Sequence, residues 1–241
     1  MARPVRFLLA GAAAVAVAAS GGVARASACG SNGYAYAGFG ATQSAFGISA
    51  TVESVEAFAV LHGHVAGWVG VGGPGEGPRG TNEWLEVGLS GFPGVTGSDL
   101  YYEVALPDHY PVYHQIAGDI PAEKRVDVGV LEMQSRPNWW RVWVDGRPAS
   151  RPIHLPDSYE RWAPIATAES WDGGTGGTCN NFLYHFRRVR IAHAPGGGWR
   201  KFSGGLPIKG SSTRIRRSRG GDAFLAAEGD QAIGLLPSLT P

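Results

Sequence analysis

The sequence predicts an all-β fold, an antiparallel two-sheet jelly-roll sandwich, and three observations carry that reading. With 37 Gly, 16 Pro and 8 Trp among 241 residues and only 17% charged, the composition suits short strands joined by many turns better than a helical bundle. Runs rich in β-branched and aromatic residues recur at short spacing, each bounded by Gly, Pro, Asn or Asp. Apolar residues at helical spacing are nearly absent once the N-terminal leader is passed. Strands without intervening helices pair antiparallel, and this many of them form two sheets packed face to face.

The chain opens with Arg3 and Arg6 ahead of the apolar run from Phe7 to Ala19, the charge and hydropathy pattern of a signal peptide. Small-residue cleavage sites follow at Ala24-Arg25-Ala26 and Ala26-Ser27-Ala28, so residues 1–28 are assigned to the leader and the mature protein is expected to be secreted. The apolar run falls short of the roughly 20 residues a membrane-spanning helix needs. Cleavage after Ala28 places Cys29 first, where a lipid anchor would attach, but Ala26 stands where a lipid-attachment signal wants a large aliphatic residue, which argues against that fate. Cys179 is the other cysteine, and an even count in an oxidising compartment predicts a Cys29–Cys179 disulfide. In the chain-entropy description such a long closed loop contributes roughly 4 kcal/mol.

Residues 29–194 read as one β-sandwich domain, large enough to bury about 70% of the surface of its unfolded chain. Strands are predicted at 47–59, 65–71, 84–89, 99–106, 124–133, 139–144, 164–171 and 182–192. The run from Trp139 to Val144 ends at Asp145-Gly146, a dipeptide that accepts the positive φ angles of a tight hairpin. Beyond Ala194 the texture changes. Gly196-Gly197-Gly198 opens a stretch carrying Arg200, Lys201, Lys209, Arg214, Arg216, Arg217 and Arg219 with no acid until Asp222, so residues 195–241 read as a Gly/Arg-rich disordered tail. A basic tail of this kind also has the charge to contact an anionic cell envelope. The whole chain has a formal net charge of only +1, which gives no global bias towards nucleic acid.

Six short segments then stand in a fixed order: Trp68-Val69-Gly70-Val71, Leu85-Glu86-Val87-Gly88-Leu89, Tyr101-Tyr102-Glu103, Gly118-Asp119, Ala168-Glu169 and the run 182–192. In that order they resemble the glutamic peptidases, the eqolisin family, with its Trp-Val-Gly-Ile segment, Leu-Gln-x-Gly-Phe strand, Trp-Tyr-Glu, Gly-Asp turn, Ala-Glu of the catalytic strand and closing strand. The resemblance implies a sandwich related in shape to the concanavalin-like lectins, with a groove on its concave sheet. It also implies a chemistry in which a glutamate acts as general base on water and a glutamine amide steadies the tetrahedral intermediate. Carried over by position, the base is Glu169 and the glutamine's place is held by Glu86, with Trp68, Glu103 and Trp171 beside them as substrate-binding residues.

That replacement changes the chemistry, because an amide is a permanent donor whereas an ionised carboxylate only accepts. Glu86 must keep a proton to donate, and two carboxyls sharing one groove raise the pKa of one of them, so activity of this kind is expected in acid. The family's acid shortly after Trp-Val-Gly is replaced by Gly72 and Gly73.

Two further readings stand beside the peptidase. One is a non-catalytic module that keeps the groove for a peptide or carbohydrate ligand. The other is a glycosidase, whose retaining carboxyl pairs lie about 5–5.5 Å apart, although no single strand carries a Glu-x-x-Asp-x-x-Glu or Glu-x-Asp-x-x-Glu cluster. Of Trp68, Trp84, Trp139, Trp140, Trp143, Trp162 and Trp171, at most two are expected in the groove and the rest in the core. His62 and His64 form a His-x-His pair and His109 and His114 lie in a Pro/Tyr-rich loop, but no Cys or Asp spacing completes a zinc site, so no metal or cofactor is expected.

Overall fold

The computed structural model describes residues 33–175 and 180–229. The signal peptide, the lipidation position and the expected Cys29–Cys179 bond all lie outside the described residues. In chain order the strands are β1 (Tyr34–Gly40), β2 (Gly47–Ser54), β3 (His64–Gly73), β4 (Glu83–Gly91), β5 (Ser98–Ala105), β6 (Val112–Ile120), β7 (Arg125–Glu132) and β8 (Trp139–Val144). They continue as β9 (Arg147–Pro148), β10 (Ile153–His154), β11 (Ile165–Trp171), β12 (Phe182–Ala194), β13 (Gly197–Lys201), β14 (Leu206–Lys209), β15 (Thr213–Arg217) and β16 (Phe224–Glu228).

Two antiparallel sheets result, as the sequence predicts. One has seven strands in the order β14-β1-β11-β3-β4-β5-β6; the other has nine, along the path β10-β8-β7-β2-β12-β16-β15, with β13 on β12 and β9 on β8. Alternation decides which side chains meet between them. On β3 and β4, Val65, Val69, Val71, Leu85, Val87 and Leu89 point inward, where they join Val128, Val130, Trp140, Val142, Phe182 and Phe186 of the opposite sheet in one core. Gly67 belongs to the same inward row. A Cβ there would lie 2.6 Å from the Tyr184 ring, so the glycine makes room for that ring to lie against β3.

The sandwich extends past Ala194, which corrects the expected tail. Residues 195–229 are part of the sheets, and only 230–241 of that segment lie outside the described residues. β16 pairs with β12 from Phe182 to Phe186, Phe224 stacks on Phe186 with ring centroids 4.5 Å apart, and β14 pairs with β1. The basic residues that suggested disorder stand in this framework: Arg217 lies 4.4 Å over the Phe39 ring, and Lys201 Nζ is 3.4 Å from Asp222 Oδ2. Strands beyond those predicted also stand at β1, whose inward row begins with the small Ala35 and Ala37, and at β6, where His114, Gln115, Gly118 and Asp119 break up the apolar alternation.

Two irregularities matter later. On β12 the register shifts between Arg187 and Arg190, and Arg188 takes φ 50°, a bulge that turns its side chain onto the outer face. Between β5 and the edge strand β6 the ladder breaks twice near Leu100, with Asp119 at φ 57°.

Candidate functional site

The side chains of the seven-stranded sheet that do not enter the core face a groove of about 820 Å³. Alternation places Ala66 and Trp68 of β3, Glu86 and Ser90 of β4, Tyr101 and Glu103 of β5, and Thr167, Glu169 and Trp171 of β11 on this face. Ala66, Trp68 and Tyr101 pack into a small apolar floor, against which Tyr36 and Ile165 rest. Tyr34 stacks on both Tyr36 and Trp171, with centroids 5.9 and 6.1 Å apart, and forms an aromatic wall at one side. Tyr113 stacks on Tyr101 at 4.9 Å, and its hydroxyl meets Ser90 Oγ at 2.8 Å.

All five sequence-predicted positions, Glu86, Glu169, Trp68, Glu103 and Trp171, line this one groove. Trp84 lines it too, so three tryptophans face the groove where at most two were expected. Trp140 and Trp162 are in the core, as expected. Trp139 and Trp143 are half-buried on β8 rather than in the core, because alternation along β8 gives its inward positions to Trp140 and Val142.

The three glutamates have distinct surroundings. Glu86 is buried, and Tyr101 donates to its Oε1 across 2.6 Å. Burial pushes its pKa well above the usual carboxylate range, helped first by the charge of Glu169 and then by that of Glu103, and opposed by the Tyr101 hydrogen bond. Glu103 stands directly opposite Glu86 across β4 and β5 and accepts a 3.1 Å hydrogen bond from Trp84 Nε1. Its pKa is also raised, chiefly by burial, with Trp84 and His64 acting against the shift and Glu169 with it.

Glu169 has a partner that the sequence reading did not assign: His64 Nε2 lies 3.1 Å from its Oε1. The signal was present, since His64 precedes Trp68 by four residues on one strand and therefore shares its face. What no spacing disclosed is that β11 runs beside β3 and sets Trp171 opposite His64. Asn180 fixes this end of the groove. Its side chain accepts from the Leu61 backbone N–H at 2.8 Å and donates to the carbonyls of His62 and Trp171 at 2.8 and 3.1 Å.

Glu86 and Glu169 make no direct hydrogen bond to one another. Glu169 pairs with Ala66, which pairs with Ser90, whereas Glu86 pairs with Gly70, which pairs with Ile165. β3 therefore separates the two acids, and they are offset by four residues along the strands. Their interaction is electrostatic across the groove, with Tyr101 and His64 as their respective contacts.

Among the described residues no helix is long and apolar enough to cross a membrane. No protein-family model matches the sequence, and no curated protein matches it. Solved structures do share its fold. Scytalido-glutamic peptidase in complex with a peptide-based transition-state analogue superposes with a TM-score of 0.55 at 13% identity, covering 82% of this chain and 98% of that one. SCP-B, a member of the eqolisin family of peptidases solved with the tripeptide Ala-Ile-His, superposes with a TM-score of 0.51 at 13% identity, with the same coverage of both chains.

Proposed function

We propose that the protein is an exported, acid-acting endopeptidase of the glutamic type, taking an unfolded peptide segment into the groove. The observation that carries this reading is the buried Glu86, pushed towards its protonated form in the same groove as Glu169. A carboxylic acid kept neutral by its surroundings is a hydrogen-bond donor, the part that a glutamine amide plays in the resembled family. Tyr101 occupies Oε1 of Glu86, which leaves Oε2 to carry the proton and offer it to a developing oxyanion. Glu169 takes the proton of the attacking water, and His64 holds its other oxygen in place. Trp68, Trp171 and Glu103 line the path of the substrate.

A second reading keeps the same groove as a non-catalytic peptide- or carbohydrate-binding module. The His64 contact favours it, because a general base already engaged at one oxygen and offset from its proposed partner suits ligand recognition as well as it suits catalysis.

Digestion of a denatured protein substrate across pH 2 to 7 separates the two. The peptidase reading requires cleavage confined to acid, abolished by Glu169→Gln, and retained or increased in Glu86→Gln, whose amide needs no proton to donate. Cleavage by neither the parent nor the Glu86→Gln variant, with retained binding to a peptide or glycan array, supports the module instead.

A further inference from the structure

The outer face of the nine-stranded sheet, on the far side of the core from the groove, carries a second concavity of about 370 Å³. Its floor follows from four outward positions that pair across three strands. Ala192 on β12 pairs with Gly47 on β2, and Ser49 on β2 pairs with Gly129 on β7, so these four positions carry nothing larger than serine, while Leu131, the β7 partner of Gly47, adds an apolar side chain to the lining. Each end of the floor is closed by an indole: Trp199 of β13 stands beside Ala192, and Trp143 of β8 stands beside Gly129. Both tryptophans are only partly buried, although neither has core space to fill on this face.

A polar edge completes the hollow. Asp127 lines it, and the β12 bulge brings Arg188 alongside, with Nη2 at 2.9 and 3.1 Å from the two carboxylate oxygens. Thr51 Oγ1 supports the same carboxylate. Both members of the ion pair remain open to solvent, at 52% and 69% side-chain exposure, so they present an acceptor and a fork of donors side by side.

The geometry points to a carbohydrate-binding site, which we infer takes a neutral pyranose ring with equatorial hydroxyls. Equatorial substitution leaves the two ring faces covered by C–H groups, and such faces pack on the flat, electron-rich faces of indoles. The hydroxyls then lie around the rim of the ring, where the carboxylate and guanidinium of Asp127 and Arg188 meet neighbouring oxygens as acceptor and donor. The small residues Ser49 and Gly129 leave depth for the ring and Leu131 gives it an apolar neighbour, and the volume is within the roughly 300–1,000 Å³ typical of small-molecule sites. This site shares no lining residue with the groove, so it stands whether or not the groove is catalytic.

The test is titration of the intact secreted protein with cello-, xylo-, laminari- and chito-hexaose, followed by isothermal calorimetry and tryptophan fluorescence. Parallel titrations use Trp143→Ala, Trp199→Ala, Asp127→Ala and, as the groove control, Trp171→Ala. Binding of at least one hexaose is expected, weakened at least tenfold by each outer-face variant and unchanged in Trp171→Ala. Trp143→Phe, which keeps a flat ring and guards against misfolding of the alanine variant, is expected to lose less than Trp143→Ala. Absence of binding by any of the four sugars, or binding lost in Trp171→Ala and kept in the outer-face variants, overturns the inference.

Discussion

Glu86 and Glu103 face one another across β4 and β5, and each is tied to an aromatic donor, Tyr101 for the first and Trp84 for the second. Two carboxyls on one small patch of sheet coexist because burial favours the uncharged form of both, and the two hydrogen bonds keep their oxygens from being stranded.

Replacing Tyr101 with Phe removes the donor from Glu86 Oε1 and leaves that oxygen buried without a partner. The expected cost is about 2 kcal/mol of unfolding free energy, within the range for an orphaned buried acceptor, measured by urea denaturation at pH 4. The lost hydrogen bond is one that lowers the Glu86 pKa, so its titration followed by carbon-13 NMR is expected to move further upward.

Stability is expected to fall between pH 6.5 and 8, and Glu83 is the residue to test. It lies on the inward row of β4, is fully buried, and neither of its carboxyl oxygens has a protein partner. Burial first, then the charge of Asp157, raises its pKa to about 8, with Arg161 opposing. The folded state therefore binds a proton in this window that the unfolded chain has released, so ionisation favours unfolding as pH rises. His185 works the other way at lower pH: burial and Arg187 depress it to about 4, so it costs stability as pH falls below the ordinary histidine range. Glu83→Gln is expected to flatten the loss between pH 6.5 and 8 in urea denaturation while leaving the His185 limb in place.

Truncation after Ala194 is expected to abolish folding. It deletes β13 to β16, uncovers one side of β12 and β1, and removes Phe202, Phe224 and Ala226 from the core. Circular dichroism and solubility of the shortened chain check this directly; a soluble, cooperatively melting product would contradict it.

Gly67→Ala is expected to destabilise by about 1–3 kcal/mol, the usual penalty for overpacking. The added methyl meets the ring of Tyr184 rather than a flexible chain end, so the sheets must part to accept it. Thermal denaturation reads the change, and a double variant with Tyr184→Leu is expected to recover part of it.

Among the eight strands read from the sequence, β3 and β7 show large, regularly alternating inward residues, Val69 and Val71 on the first and Val128 and Val130 on the second. Their existence was legible because the two-residue period survives wherever one face is packed. β15 is hidden in the sequence although Thr213-Arg214-Ile215-Arg216-Arg217 also alternates, because its charges dominate the composition, even though its partner β16 follows it directly. The groove residues were legible one by one from short motifs. Their mutual placement was not, because the four-residue offset between Glu86 and Glu169 is a property of strand register, and the His64–Glu169 contact joins positions 105 residues apart.

The uneven seam between β5 and β6 bears on how the molecule behaves in company. An outermost strand with a straight row of free backbone groups invites a neighbouring molecule to add itself as the next strand. Here the register slips near Leu100 and the left-handed turn at Asp119 interrupt that row, and His114, Gln115 and Asp119 stand between the apolar residues of the strand. The interrupted row makes this edge, which borders the aromatic groove, a poor template for an added strand.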